Sequence, residues 1–250
     1  MILEDANLIG LFLILAGIVL FLVGLYFQKR KRLIADTPTS KIRSLAMGLV
    51  EIFGQVIPLQ NKVFKSPFTD KDCVYYRYTI EEYRSSGKNS HWVTIKKAEQ
   101  RTLFYLQDDT GMVLVDPTGA QIEAKKDFEF QSSLGKDPPE QVIRFLSASN
   151  LTYEGFLGLN KTMRYQETII APDDTLYIMG TAGTNPYKNE GHTNHVDSIM
   201  IQKGTSEKHY YISDKAEKQI LTQLTFATYG TAACGILLII IGAILSFRFL

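Results

Sequence analysis

Cysteine is nearly absent from this chain of 250 residues: there are two, Cys73 and Cys234, and the second lies inside a long apolar run. A disulfide framework is excluded, because a bridge between them would have to carry Cys73 to the depth of that run. An excess of one charge is also missing. The formal net charge is +1, from 27 basic and 26 acidic residues; without Arg248, Glu4 and Asp5 the counts between the apolar ends are 26 and 24. That balance gives no electrostatic footprint for nucleic acid. No GxSxG, GxxxxGK[ST], GxGxxG or HExxH pattern occurs, so hydrolase, NTPase, dinucleotide and zinc-protease chemistries lack their motifs.

What the chain has in abundance is apolar sequence at its two ends. Leu8 to Phe27 is a run of twenty such residues followed by Gln28-Lys29-Arg30-Lys31-Arg32. As a helix it spans about 30 Å, the thickness of a bilayer's hydrocarbon core. The residues before it, Glu4 and Asp5, are acidic, and the run is too long for a signal peptide, so an anchor that stays in place is expected. A second run, Tyr229 to Phe247, leaves only Arg248, Phe249 and Leu250 beyond it. The expected architecture is a two-pass α-helical membrane anchor with a mainly β (α+β) soluble domain between the two transmembrane helices. Its segments are a transmembrane helix at 8–27, a basic collar and linker at 28–47, the β-rich domain at 48–213, a helix leading into the membrane at 214–228 and a transmembrane helix at 229–247.

Basic residues beside a span tend to remain in the cytoplasm. Lys29, Arg30, Lys31, Arg32, Lys41 and Arg43 follow the first span, while Lys215 and Lys218 outnumber Arg248 at the second. Both junctions predict a cytoplasmic middle domain with both termini outside. Neither span holds an ionisable residue, which argues against an ion or proton pathway. Gly10, Gly17 and Gly24 recur every seven residues, as do Gly235 and Gly242. Each set lies on one helix face, where small residues permit close backbone approach, within an antiparallel hairpin or between protomers of a homo-oligomer.

Between the spans, β-branched and aromatic residues predict strands at Cys73 to Tyr83, Trp92 to Ile95, Thr102 to Leu106 and Met112 to Val115, the last two joined by the hairpin-length Asp108-Asp109-Thr110-Gly111. Further strands are expected at Thr162 to Ile170, Thr175 to Met179, Ser198 to Gln202 and His209 to Ile212. Pro138-Pro139-Glu140 starts a helix that places Val142, Ile143, Phe145 and Leu146 on one face, and two lobes joining near it are one arrangement for the domain. Asp214 and Glu217 have capping-box spacing, so a helix from there continues into the second span. Ala35 to Ser40 reads as a flexible break.

Three constellations carry candidate chemistry. Asp109-Thr110-Gly111 has the look of an aspartic-protease loop, with Asp116 in Asp116-Pro117-Thr118-Gly119 as the second carboxylate. Such a dyad needs two carboxylates sharing a proton across a pocket, whereas these lie seven residues apart in one meander, where Asp and Gly also serve tight turns. His192 and His195, with Asp197, form a short cluster in a loop of Gly, Asn and Thr; a solvated loop is the expectation, and no metal ligand is assigned. Cys73 begins a strand and reads as a small buried hydrophobe, since no His lies close in sequence to activate it. No catalytic, cofactor-binding or metal-binding residue is therefore assigned, and no cofactor is expected.

The order of the middle segments resembles the GIDE domain, also called BAM, "beside a membrane". The blocks are Gly48 to Gly54 (GLVEIFG), Ser66-Pro67, Cys73-Val74-Tyr75-Tyr76-Arg77, Trp92, Phe104, Asp108-Asp109-Thr110-Gly111, Val115-Asp116-Pro117, Gly119-Ala120, Arg164-Tyr165-Gln166-Glu167 and Leu176 to Gly180 (LYIMG). They cover about 40–215. The positions matching family motifs are Cys73, Tyr75, Asp108, Asp109, Gly111, Asp116, Pro117, Arg164, Glu167 and Gly180. The resemblance implies a domain set between two membrane helices, as in membrane-anchored ubiquitin ligases of mitochondria and chloroplasts, where a RING follows the second helix. Similar RING-less proteins occur in bacteria and archaea.

A RING has two tetrahedral zinc sites of four ligands each, and this chain offers two Cys and four His. Ubiquitin transfer by this polypeptide alone is therefore not expected. The expected role is non-catalytic: protein recognition or envelope sensing at the bilayer, with a membrane-associated protein as partner and contacts made by strand edges and by loops at Arg84 to His91 and Gly183 to His195. The alternatives are a ligase-type subunit whose RING comes from another chain, and a membrane aspartic protease. The organellar relatives place the domain in the intermembrane space, whereas the charges of this sequence place it in the cytoplasm.

Overall fold

The computed structural model describes residues 2–36, 39–59, 62–87, 89–155, 158–187, 195–205, 209–215 and 217–248. It divides into two units, one formed by the chain's two ends and one by Thr39–Asp214.

The first unit is a pair of long helices, α1 (Ile2–Asp36) and α3 (Glu217–Arg248). Within them Leu8–Asp36 and Gln219–Ser246, of mean hydropathy 3.0 and 2.1, are long and apolar enough to cross a membrane. A helix satisfies every backbone N–H and C=O within its own segment, which lipid demands. Large apolar side chains such as Leu8, Phe12, Leu22, Leu237 and Ile244 point outward, whereas Gly10, Gly17, Gly24, Gly235 and Gly242 are buried between the helices. A Cβ at Gly17 would lie 2.6 Å from the Gly235 carbonyl, and one at Gly242 would lie 2.6 Å from the Gly10 carbonyl. The two stripes thus face each other within one chain. The basic collar is not a linker up to residue 47, because α1 runs through it to Asp36. Lys31 places its ammonium 5.8 Å from the Tyr229 ring.

The second unit has two sheets. In the larger, β1 (Gly48–Pro58), β6 (Phe104–Gln107), β7 (Met112–Val115), β12 (Ile199–Gln202) and β11 (Thr175–Thr184) pair in that order, and β1 pairs again with β11. The five strands thereby close into a small barrel. β13 (Tyr211–Ser213) joins β11 beside β12, with β8 (Gln121–Glu123) outside it. Val50, Ile52, Val56, Phe104, Leu106, Val113, Ile178 and Ile201 fill the interior. Gly54 lets β1 curve against β6, since a Cβ there would meet the Gln107 carbonyl at 2.4 Å.

The smaller sheet has the order β5 (Asn89–Arg101), β4 (Tyr75–Ser86), β10 (Met163–Ile170), β9 (Phe128–Ser132). The helix α2 (Glu140–Ala148) starts after Pro138-Pro139 and covers one face. Its Val142, Phe145 and Leu146 pack with Tyr78, Ile80, Met163 and Tyr165. Phe68 is the hub, with ring centroids 5.4 Å from Phe145, 5.5 Å from Tyr78 and 5.8 Å from Phe128. A two-stranded ribbon, β2 (Phe64–Lys65) with β3 (Asp72–Cys73), completes the unit. The two cores belong to one compact unit, not to lobes separated at α2.

The structure corrects several expected boundaries. Trp92 to Ile95 is only part of β5, and Arg84 to His91 is not a long loop, because Arg84 pairs with His91 and Ser86 with Asn89. Thr102 and Leu103 connect β5 to β6 and are not strand residues. Ser40 is held by its N–H donating to the Glu51 carbonyl at 2.7 Å, so the expected break at Ala35 to Ser40 is helical at its start and tethered at its end; Thr37 and Pro38 lie outside the described residues.

Candidate functional site

The turn between β6 and β7 is built by Asp108. Its Oδ1 accepts the N–H of Thr110 at 2.7 Å, the hydroxyl of Thr110 at 2.6 Å and the N–H of Gly111 at 3.0 Å. Its Oδ2 accepts the N–H of Ile42 at 3.0 Å, while Thr110 Oγ1 accepts the N–H of Arg43 at 3.1 Å. Asp109 pairs with Lys41, both side chains being well exposed. The DDTG segment therefore grips the short 3-10 turn Ile42–Ser44. Burial raises the Asp108 carboxyl, but these donors outweigh it and hold it below its ordinary value.

Asp116 sits at the other end of β7, roughly 13 Å of strand from the Asp109 turn. Its Oδ1 accepts the Thr118 N–H at 2.9 Å, an Asx turn, and its carbonyl accepts the Tyr210 hydroxyl at 2.6 Å. Gly180 makes room for Tyr210, whose ring lies 2.8 Å from where a Cβ would stand. The geometry gives the aspartic-protease alternative no support: the carboxylates of Asp109 and Asp116 lie at opposite ends of one strand, the first ion-paired with Lys41 and the second closing its own turn.

Beside the Asp116 turn is an open, polar cleft of about 260 Å³, lined by Arg101, Thr102, Leu103, Asp116, Pro117, Thr118 and Tyr187. Arg101 donates from Nη1 to the Pro117 carbonyl at 2.6 Å, is ion-paired with Glu99, and lies 5.7 Å from the Tyr75 ring centroid. Tyr75 donates to Glu99 at 3.2 Å, and burial pushes its phenol up to about 12. The cleft lacks the enclosing, mostly apolar walls typical of small-molecule sites. Arg101 and Tyr187 were not legible as site residues: each joins the cleft only through the tertiary fold.

The remaining motif residues hold the smaller sheet. Glu167, 1% exposed, accepts the N–H of Phe68 at 2.7 Å, the N–H of Thr69 at 3.1 Å and the Thr69 hydroxyl at 2.7 Å. Arg164 pairs with Glu81 at 2.6 Å and lies 4.5 Å over the Trp92 ring, which in turn packs 5.2 Å from Tyr83. The Cys73 thiol is fully buried, and that burial pushes it up to about 12. His192 lies outside the described residues. His195 and Asp197 fall in a 3-10 turn, His195–Ser198, and among the described residues no three His, Cys, Asp or Glu side chains converge as a metal site.

Residues 75–246 match the family model GIDE, described as E3 Ubiquitin ligase. No curated protein and no solved structure matches the chain.

Proposed function

This chain belongs to the GIDE family of ubiquitin-ligase-related domains, and we propose that it is a membrane-anchored recognition module, not the transfer catalyst. The observation that carries this reading is the use of the motif carboxylates: Asp108, Asp116 and Glu167 each accept backbone N–H donors that fix a turn or ribbon. Groups so engaged build a scaffold and are poor acid/base catalysts. Within these 250 residues two cysteines, one on the apolar helix α3 and one fully buried, and four histidines cannot fill two zinc sites of four ligands each. Any ubiquitin transfer at this domain would need a RING from outside these 250 residues.

Among the described residues, the surfaces open for contact include the Arg101–Asp116 cleft and the β4–β5 ribbon with Tyr83, 44% exposed. Tyr, Trp and Arg are the residue types that most often anchor protein interfaces. The partner in this reading is a membrane-associated protein, met on the cytoplasmic side because the basic residues at Lys29 to Arg32 favour that side. Crosslinking in native membranes from a photoreactive residue at Tyr83 should capture a discrete protein. Recovery of lipid alone would remove the support for recognition.

A further inference from the structure

β5 is an outermost strand of its sheet: β4 occupies one edge, and among the described residues no strand pairs with the other. At 13 residues it is long for an open edge, and Thr94, Lys97 and Ala98 along it are exposed. Such an edge presents unpaired N–H and C=O groups to any extended chain. Between Asn89 and Ala98 its only charged residues are Lys96 and Lys97. Neither has an ion-pair partner among the described residues. A bulge at Ile95, where Ile80 pairs with Lys96 but Glu81 with Thr94, immediately precedes them.

The two lysines point to opposite faces. Lys96 sits on the α2 side, its ammonium 5.6 Å from the Phe145 ring centroid; Lys97, next in the strand, faces away. Pairing of two copies through β5 would gather four lysines on adjacent strands, which like-charge repulsion opposes. An added strand with consecutive acidic residues would instead meet a lysine on each face. Such a strand would also pass Trp92 and end near Arg101, where the polar cleft begins.

We propose that the free edge of β5 is a docking site for an extended segment of a partner protein, with consecutive acidic residues opposite Lys96 and Lys97. The inference rests on the recognition reading and specifies its surface and ligand class. Main-chain pairing supplies affinity and the lysines select sequence.

The test uses the full chain in zwitterionic nanodiscs and a pooled library of ten-residue β-prone peptides carrying an acidic pair. The best binder is then compared with versions having a Gln pair, a Lys pair, or the acidic pair with a central proline. The acidic peptide should bind, and both the Gln and the proline versions should bind about tenfold more weakly. Lys96→Gln/Lys97→Gln should abolish the preference for acid, and Lys96→Glu/Lys97→Glu should transfer it to the lysine peptide. The matched control Lys62→Glu/Arg144→Glu should leave it unchanged. Equal binding of the proline version, equal loss in the control, or no acidic binder in the library would overturn the edge site. A natural partner whose crosslinking ignores the Lys96/Lys97 changes would overturn it too while leaving recognition standing; absence of any partner would remove recognition itself.

Discussion

Asp108 Oδ2 accepts the backbone N–H of Ile42 at 3.0 Å, joining residues 66 apart in sequence. With its three contacts to Thr110 and Gly111, this one carboxylate both closes the β6–β7 turn and ties down the chain that enters the β domain.

Asp108→Ala should therefore lower unfolding free energy by about 2 kcal/mol, since it leaves several donors without their acceptor. The pH dependence has a definite sign. A carboxyl held low in the folded chain stabilises fully above its unfolded value and loses that contribution as pH falls through the folded value. The melting-temperature gap between the parent and Asp108→Asn should be constant from neutral to about pH 5 and should close below about pH 4. A gap that ignores acid would show the charge to be irrelevant to the clamp.

The helical pair should respond unevenly to alanine. A Cβ at Gly17 meets backbone at 2.6 Å, whereas at Gly24 the nearest atom, the Thr231 hydroxyl oxygen, is 3.0 Å away and the nearest backbone 3.3 Å. Gly17→Ala should weaken α1–α3 pairing by about 1–3 kcal/mol, and Gly24→Ala by less. Cysteine crosslinking between the helices would report both, and equal behaviour would mean that close backbone approach does not hold the pair.

Cys73 should be silent toward thiol reagents in the folded chain, even at mildly alkaline pH, because burial pushes its thiol up to about 12. Labelling should appear only in denaturant. Rapid labelling at neutral pH would revive a nucleophilic role.

Much of the fold was legible because its signals are local. Met112–Val115 and the helix after Pro138-Pro139 stand where their patterns place them. β1 was seen only as a motif block, since a buried Glu51 and the close approach at Gly54 blur its alternation. The tip of the β4–β5 ribbon reads as a loop because Arg84 to His91 is rich in Ser, Gly and Asn; only cross-strand pairing makes it a sheet. The cleft was less legible still: Arg101 meets the Pro117 carbonyl by tertiary folding, with no sequence pattern to announce it.

Orientation can be read from Leu134, which is 71% exposed in the β domain. Leu134→Cys should react with a membrane-impermeant maleimide only after cells are opened, which is the outcome that the proposed cytoplasmic placement predicts. Labelling of intact cells would place the domain outside the cytoplasm.

The account depends most on the family-motif carboxylates not being catalytic, and Asp109→Asn/Asp116→Asn addresses this directly. Amide side chains keep the size of the originals and, at Asp116, the turn-forming acceptor, but cannot exchange protons in an acid/base step. The measurement is cellular function of the double variant beside its melting temperature and its partner crosslink. The account predicts that all three are retained; loss of function with fold and crosslink intact would contradict it.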